Sequence, residues 1–457
     1  MDIDIQKLLK SWWRAISLAW PVSIQQFLNT LMRTVDIVIT GFFSPAAVAA
    51  VGLADLYAQI PTRIGNALGV GAISVSSQDT GRSATNSRDR AVTQAIILGF
   101  FLGTPFIFIG LLFGNFAIEI LGAEKDVINL GGTYLMIIFS IAPMRIVGIV
   151  GAKSLQGSGD TRTPMYINGM SNITNIIISV TIGLGVGIAP SLGIIGVGIA
   201  TAVSRTLEAS AMVFVIYSDM NEISFARPRS LTITRQLVEI GIPNFLEGMS
   251  TTIVSFPFNS LVLIFGTEAN AGYHVGRRLY HQLAAPIYRA FRTAASIMVG
   301  QEIGKENLKY ASYCGKSISV LSSSVLLILA VLVFAGADSL VNIFTNDLVT
   351  ADYAADFTRV YALSMLSFGI HASYSGGLYG AGDTKTPFYA RLVAEFGFML
   401  SLSYIVSIIL GLGIIGVYIG IFACYLVRAS IVAAGFIWGS WDSIATTRID
   451  ERANIKK

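Results

Sequence analysis

Long uninterrupted apolar runs are the feature that most constrains how this chain can fold. The stretch AIILGFFLGTPFIFIGLLFGNFAIEIL, from Ala95 to Leu121, contains a single charged residue. It exceeds the roughly 20 residues needed to cross a bilayer core of about 30 Å. In that core only helices and closed barrels satisfy every backbone N–H and C=O. The period-two alternation of a transmembrane barrel is absent, so the sequence predicts an all-α polytopic membrane protein.

Composition agrees with this class, and hydropathy along the chain gives the number of spans. Hydrophobic residues make up 53% of the chain, charged residues only 13%, and the mean hydropathy is +0.67, whereas about 25% of residues are charged in soluble proteins. Twelve spans are predicted, at 14–40, 46–77, 92–121, 128–155, 164–187, 192–217, 237–265, 270–300, 311–344, 354–378, 387–410 and 412–439.

Basic residues predict the orientation in the membrane. If the N-terminus is cytoplasmic, the inner segments hold almost all loop Lys and Arg, and the outer loops hold Lys125 and little else. This asymmetry predicts a cell-membrane protein with both termini cytoplasmic. The net charge of +4 is therefore a topology signal, and no nucleic-acid partner is expected. No cleavage site follows the first apolar run, which we interpret as a retained span. The inner basic residues include Lys7, Arg14, Arg82, Arg162, Arg227, Lys305, Lys385, Arg448, Lys456 and Lys457.

A polar, glycine-rich segment occurs twice. LQGSGDTRTPMY begins at Leu155 and LYGAGDTKTPFY begins at Leu378. Each falls between two apolar runs on the cytoplasmic side and reads as a helix stop followed by a helix start. Glycines can close the first helix in the left-handed conformation, and a Thr-Pro pair can begin the next. The residues predicted for these roles are Gly157, Gly159, Thr163 and Pro164, and Gly380, Gly382, Thr386 and Pro387.

The repeat extends beyond this segment and divides the chain into two halves of six helices. Pro21 of the first span matches Pro243 of the seventh, and LGIIGVG from Leu192 returns as LGIIGVY from Leu412. Six spans bring both halves in from the same side, which predicts a parallel pseudo-two-fold repeat with a ligand site between the halves. The predicted segments are an N-terminal lobe at 1–217, a cytoplasmic linker at 218–234, a C-terminal lobe at 235–440 and a cytoplasmic tail at 441–457.

These features together resemble the multidrug and toxic compound extrusion (MATE) family of transporters. The resemblance is carried by the paired GSGDTRTP and GAGDTKTP turns and by LNTLMRTVDIVITGFFSPAAVAAVG and MSNITNIIISVTIGLGVG. It implies a V-shaped twelve-helix fold and export of small amphipathic, often cationic, compounds driven by H⁺ or Na⁺. It also implies contact with membrane lipids. The family belongs to a wider superfamily, the MOP flippases, which includes lipid and oligosaccharide-lipid flippases. We expect a monomer without cofactors other than the coupling ion.

Asp36 is the first candidate for the coupling group. A charge at the centre of a transmembrane helix costs roughly 2.5–3.5 kcal/mol on insertion scales, so such residues usually serve a function. Asp36 follows Asn29 by seven residues, which places both on one face of the first helix. Held away from water, its carboxylate would favour proton uptake. The alternative is an ion pair with Arg33 on the same face.

The fifth span supplies the predicted partners of Asp36. Asn172, Asn175 and Ser179 share one helical stripe. In the family that the chain resembles, a cation site pairs the first-helix Asp with a fifth-helix Asn, matched by Asn175, and with a second Asp. Ser179 stands where that second Asp is expected, so this site would carry one proton or bind one Na⁺. Thr201 of the sixth span matches a further oxygen donor. Interhelical hydrogen bonding is the alternative role of these neutral residues.

In the second half, Glu247 lies four residues after Pro243, inside the seventh span. Many family members carry a Glu one turn later, where this chain has Thr251, so the participation of Glu247 in coupling stays open. Glu395 and His371 are further titratable groups, for which an ion pair with Arg391 and a buried hydrogen bond, respectively, are sufficient explanations. Pro21 predicts a kink in the first helix that could act as a hinge.

The predicted cargo surface consists of soft, aromatic or amide side chains that suit promiscuous binding. Ordinary helix packing is the alternative role for each of them. The predicted residues are Asn29, Met32, Tyr57, Met249 and Tyr280.

Other classes of function fit less well. A nucleotide-binding G-x-x-x-x-G-K-[ST] loop is absent, which argues against an ATP-driven pump. DTRTP and DTKTP hold one Asp each and no His, so an enzyme is not expected. A lipid or lipid-linked oligosaccharide flippase stays the alternative, because basic residues in two spans could grip a phosphate head group. Those residues are Arg63, Arg277, Arg278, Arg289 and Arg292.

Overall fold

The computed structural model describes residues 5–187, 189–218 and 223–454, and within them the secondary structure is entirely helical. Residues 219–222 of the predicted linker and 455–457 of the predicted tail lie outside the described residues. The helices of the first half are α1 (Ile5–Gly41), α2 (Pro45–Gly81), α3 (Thr85–Glu119), α4 (Lys125–Ser140), α5 (Ala142–Ser158), α6 (Arg162–Ile178), a π-helix (Ser179–Gly183) and α7 (Gly193–Tyr217).

The second half repeats this order. Its helices are α8 (Thr232–Leu263), α9 (Thr267–Gly304), α10 (Leu308–Ala335), α11 (Ala337–Val341), α12 (Leu348–Ala381), α13 (Lys385–Leu392), two π-helices (Val393–Leu402 and Ile405–Ile409), α14 (Ile414–Trp438) and α15 (Trp441–Ala453). Each predicted span corresponds to one helix or one interrupted helix, which confirms the predicted two-lobe, twelve-span architecture. The segment predicted as a tail contains α15, which packs on α9 and α12.

The helices group into two compact units. One unit comprises Ile24–Gly241, and the other comprises Ile242–Asn454 together with the start of α1 as far as Ser23. The beginning of α1 joins the second unit because Trp12 donates a hydrogen bond to the carbonyl of Ser317 at 3.0 Å. We call these groups the N-unit and the C-unit.

The same pairs of helices pack together in both units. In the N-unit α2 packs along α5 and α6 packs against α7; in the C-unit α9 packs along α12 and the first π-helix packs against α14. These are equivalent spans of the two halves, so the sequence repeat is also a repeat of packing.

The surface of the apolar helices is suited to lipid. Leu112 in α3 and Leu332 in α10 are 72% and 65% exposed. Among the described residues five helices are long and apolar enough to cross a membrane, and a sixth is added if α4 and α5, bent by 48°, form one span. Other long helices carry more polar side chains; α9, for example, contains four arginines. The chain is a multi-pass membrane protein.

The repeated turns differ from their prediction in detail. Gly159 and Gly382 have φ values of +106° and +84° and cap α5 and α12, as expected. Gly157 and Gly380 are instead helical. Glycine is needed there for close packing, because a Cβ would lie 2.7 Å from Cβ of Ser76 at Gly157 and closer still to the carbonyl oxygen of Ser296 at Gly380.

The side chains that cap the following helices are those of Asp160 and Asp383 rather than the predicted Thr163 and Thr386. Asp160 Oδ1 accepts hydrogen bonds from two backbone amides at 3.1 and 3.0 Å, and Asp383 Oδ1 accepts two at 3.1 Å.

Candidate functional site

Asp36 lies within a cluster of neutral polar side chains in the N-unit, which we call the Asp36 cluster (Asp36, Asn175, Ser179 and Thr201). Ser179 Oγ donates to Asp36 Oδ1 at 3.4 Å. In the amide orientation that satisfies both neighbours, Asn175 Nδ2 donates to Asp36 Oδ1 at 3.1 Å and Asn175 Oδ1 accepts from Thr201 Oγ1 at 3.3 Å. Three separate spans therefore bring together the residues that the sequence singled out.

A change in helix type positions Asn175 and Ser179 at the Asp36 carboxylate. Asn175 and Ser179 are fully buried, whereas Asp36 is half-buried. The helix changes from α to π at Ser179. Such π segments occur frequently at functional sites because they redirect side chains within a continuous helix.

The predicted alternative for Asp36, an ion pair with Arg33, is not formed within the described residues. Arg33 is exposed and acts on Asp36 only through longer-range Coulombic attraction, as does Arg205. Asp55 of α2 is a second acidic group in the same electrostatic neighbourhood, where Arg33 and Arg145 also act on it. Asp55 was not among the predicted site residues, although a carboxylate within the second predicted span was an available signal.

A second polar group adjoins the cluster and contains a carboxylate that the sequence analysis missed. Glu208 forms an ion pair of 2.5 Å with Arg205 and accepts from Asn168 Nδ2 at 2.8 Å. Asn172 donates to Asn29 Oδ1 at 3.2 Å and accepts from Arg205 Nη2 at 3.3 Å. The i, i+3 spacing of Arg205 and Glu208 was the available signal.

Glu247 of α8 is buried in a network of cations in the C-unit. It is only 2% exposed. Its Oε1 accepts from Arg391 Nε at 2.9 Å and from Arg428 Nη2 at 3.2 Å. Its Oε2 accepts from the Tyr379 hydroxyl at 2.5 Å and from Asn244 Nδ2 at 3.3 Å. The participation of Glu247 in coupling stays a prediction, and its contacts are those of an ion-pair centre.

Thr251 and Glu395 extend this network. Thr251 Oγ1 donates to Glu395 Oε1 at 2.9 Å and lies 2.5 Å from Arg391 Nη1. Glu395 is 3.6 Å from the same Arg391 nitrogen, which is the ion pair that the sequence suggested. Glu247 and Thr251 therefore share one face of α8 and contact the same guanidinium.

The remaining predicted residues occupy several environments. Met32 is buried and Met249 is half-buried. The Tyr57 hydroxyl donates to the carbonyl of Ala117 at 2.8 Å. Pro21 lies inside α1. Tyr280 lines a cavity of about 260 Å³ that lies entirely within the C-unit, and we call it the C-unit cavity.

One relative matches nearly the whole chain, and a second matches four fifths of it. "Probable multidrug resistance protein NorM" of Thermotoga maritima is 24% identical over 440 residues, which cover 94% of this chain and 93% of that protein. "Multidrug export protein MepA" of Staphylococcus aureus is 23% identical over 372 residues, 80% of each chain. A solved structure described as "Crystal structure of MATE in complex with MaL6" has a TM-score of 0.87, 20% identity, and covers 98% of this chain and 100% of that chain.

A family model identifies the class to which this architecture belongs. The MatE model matches residues 21–181 and 243–405, one segment in each half. The chain therefore belongs to the MatE family, the MATE transporters that its sequence resembles.

Proposed function

We propose that this protein is a proton-coupled efflux transporter that exports amphipathic organic compounds across the cytoplasmic membrane by alternating access. The printed names of the relatives, multidrug resistance and multidrug export proteins, support export of such compounds. The positive-inside pattern supports cytoplasmic termini. The observation that carries the coupling mechanism is the Asp36 carboxylate, which is half-buried and held by neutral donors rather than by a cation.

The Asp36 cluster can accommodate both charge states of the carboxylate. When Asp36 is ionised, Asn175 Nδ2 and Ser179 Oγ donate to Oδ1. When Asp36 is protonated, its hydroxyl can donate to Asn175 Oδ1 in the opposite amide orientation. In that orientation Asn175 Nδ2 reaches Thr201 Oγ1 at 3.3 Å and Ser204 Oγ at 3.4 Å. The amide would turn with the proton, because only the first orientation donates to the carboxylate and only the second accepts from the carboxyl hydroxyl.

Protonation would also alter the forces between helices. Loss of the charge removes the long-range attraction of Asp36 for Arg205 and replaces a charge-assisted hydrogen bond with a neutral one, which is roughly half as strong. Asp36 lies on α1, which also contains Pro21. A helix-interior proline lowers resistance to bending by removing one backbone hydrogen bond. Proton binding would therefore bias the bend of α1.

Flux measurements with separately imposed gradients test this proposal. Purified protein is reconstituted into vesicles, and transport of ethidium and of a fluorescent aromatic sulfonate is followed under a pH gradient or a sodium gradient alone. We expect uphill transport with the pH gradient and its loss in Asp36→Asn, because an amide cannot exchange a proton. Asp126→Asn, at the exposed start of α4, is the matched control.

Two outcomes would contradict the proposal. Transport driven by a sodium gradient alone would identify Na⁺ rather than H⁺ as the coupling ion. Asp36, Thr201 and Ser179 would then supply its oxygen ligands. Gradient-driven accumulation by Asp36→Asn at the wild-type rate would remove Asp36 from the coupling mechanism altogether.

A further inference from the structure

The C-unit cavity has the composition of an anion site. We propose that it binds the negatively charged group of an aromatic organic anion. The description of this anion as cargo rests on the proposed function; its binding does not. Four features support this ligand: the charge of the cavity, its unsatisfied donors, its aromatic walls and the different charges of the other half of the chain.

Positive charge exceeds negative charge at the cavity. Five arginines line it, with Glu395 as the one lining carboxylate within the described residues. Glu247 lies behind the wall and binds Arg391 and Arg428. Five guanidinium groups against two carboxylates leave three positive charges. The five arginines are Arg277, Arg289, Arg292, Arg391 and Arg428.

Two of the lining side chains have buried polar atoms without a hydrogen bond among the described residues. These atoms are Nε of Arg428 and Nε2 of His371, and the two side chains are 8% and 3% exposed. His371 Nδ1 lies 2.8 Å from the Tyr288 hydroxyl. If this hydroxyl donates to Nδ1, Nε2 carries the hydrogen and is a donor, as Arg428 Nε is. Buried donors without partners favour a ligand that supplies acceptors.

Aromatic rings form the other part of the wall. Tyr280 stacks on Tyr361 with ring centroids 5.4 Å apart, and Phe368 packs edge-on against Tyr425 at 4.5 Å. Aromatic faces alone would favour a cation. Here, however, the Arg292 guanidinium already lies over the ring of Tyr288, at 5.4 Å. An added organic cation would meet the net positive charge of the arginines, so the rings are better suited to stack on the apolar part of an anion.

The other half of the chain provides an internal comparison. LEAS, from Leu207, and VRAS, from Val427, occupy corresponding positions after the repeated LGIIGV segments, so Glu208 is replaced by Arg428. In the same way Asn168 corresponds to Arg391 at the offset of 223 that relates the two glycine-rich turns. The charges that act on one another around Asp36 are balanced in the N-unit: Asp36, Asp55, Glu208, Arg33, Arg145 and Arg205. The excess of positive charge at the C-unit cavity therefore has no counterpart among these six charges around Asp36.

The size of the cavity limits the ligand. Its volume of about 260 Å³ lies just below the range of about 300–1,000 Å³ that is typical of drug-sized sites. It suits a ring system with one charged group rather than a whole large amphiphile.

Binding of three matched probes tests the proposal. Naphthalene-2-sulfonate, naphthalene-2-methanol and naphthalen-2-ylmethylammonium share one ring system and differ in charge. Each is titrated calorimetrically into the full chain in micelles of a neutral detergent, without any gradient. We expect the sulfonate to bind at least about tenfold more tightly than the ammonium probe, with an affinity that falls as NaCl is raised.

Two neighbouring arginines supply the variant and its control. Arg277 lines the cavity, whereas Arg278 lies over the ring of Phe344 and does not line it. Arg277→Gln should weaken sulfonate binding about tenfold and leave naphthalene-2-methanol unchanged, and Arg277→Lys should restore most of the sulfonate affinity. Arg278→Gln should bind as the wild type does. If Arg277→Gln does not fold, Arg289→Gln, at an exposed position of the same helix, replaces it.

Several results would overturn the proposal. They are equal affinity for all three probes, tighter binding of the ammonium probe, and equal loss of sulfonate binding in Arg277→Gln and Arg278→Gln. Binding of dihexanoyl phosphatidic acid without binding of the sulfonate would identify a lipid phosphate as the ligand and refute the aromatic anion. Because no gradient is used, failure of Asp36-dependent transport leaves this result intact, and failure of sulfonate binding leaves the coupling proposal intact.

Discussion

Replacing Glu247 with glutamine should destabilise the C-unit strongly. The Glu247 carboxylate is 2% exposed and is the counter-charge that Arg391 and Arg428 share, and both arginines are themselves largely buried. Glu247→Gln leaves these two guanidinium groups without that counter-charge. Removing one partner of a buried ion pair typically costs about 3–5 kcal/mol.

We expect the lower end of this range, for two structural reasons. The glutamine carbonyl can still accept one of the hydrogen bonds that Glu247 accepts. Glu395 also stays 3.6 Å from Arg391. A loss of about 3 kcal/mol corresponds to an unfolding equilibrium constant more than about a hundredfold larger.

Intrinsic tryptophan fluorescence, followed during SDS titration in mixed micelles, measures the unfolding of the C-unit itself. All five tryptophans, at positions 12, 13, 20, 438 and 441, lie in the C-unit. Asp338→Asn is the matched control, because it removes a carboxylate that is 69% exposed and lies 2.7 Å from Arg359 in the same unit. An exposed pair contributes about 0–1 kcal/mol, so the control should unfold near the wild-type midpoint. If Glu247→Gln matched the control, the buried network would not hold the C-unit together.

Three further predictions concern coupling, bending and the repeated turn. If Asp36 is the one coupling carboxylate, exchange of one proton for one ethidium ion moves no net charge. Ethidium flux at a fixed pH gradient should then not change with a clamped membrane potential. A dependence on potential that disappears in Glu247→Gln would instead assign a second proton to Glu247. Pro21→Ala should slow pH-driven flux at least about tenfold while raising thermal stability slightly, because alanine restores the backbone hydrogen bond of α1; unchanged flux would exclude the hinge. Gly382→Ala should lower the free energy of unfolding in the SDS titration by about 1–2 kcal/mol, because its φ of +84° strains any L side chain. Gly397→Ala is the control and should not destabilise the protein, because Gly397 is helical and a Cβ there would meet nothing within 4 Å beyond the backbone of its own helix. Equal effects of the two substitutions would refute the role of Gly382 as a left-handed cap.

Sequence periodicity was sufficient for the architecture and for part of the site. Apolar runs and the two glycine-rich turns located the spans, because membrane helices must be long and their ends need special backbone conformations. Helical spacing placed Asn175 and Ser179 on one stripe, and the structure brings both to Asp36.

Contacts between helices that are distant in the sequence could not be predicted from periodicity. Arg391 and Arg428 belong to two different spans, and nothing in their local sequence indicates that both bind Glu247. Asp55 and Glu208 had local signals, a carboxylate within a span and an arginine at i, i+3, but the charges that surround each of them meet only when several helices pack together. The aspartate caps at Asp160 and Asp383 were also missed, because the Thr-Pro pair resembled a helix start more closely.

Proton release on cargo binding tests most directly whether Asp36 is the coupling carboxylate. Linkage requires that a cargo which competes with the bound proton lowers the affinity of the protein for that proton. Ethidium or naphthalene-2-sulfonate, whichever binds, is added to weakly buffered protein in micelles at pH values stepped from about 5 to about 7, and a pH-sensitive dye reports the protons released. The wild type and Asp126→Asn should release up to about one proton per chain, at the pH where Asp36 of the cargo-free protein is protonated. Asp36→Asn should release none at any of these pH values, because a single carboxylate carries the coupling proton. Equal proton release from Asp36→Asn and the wild type would contradict the account.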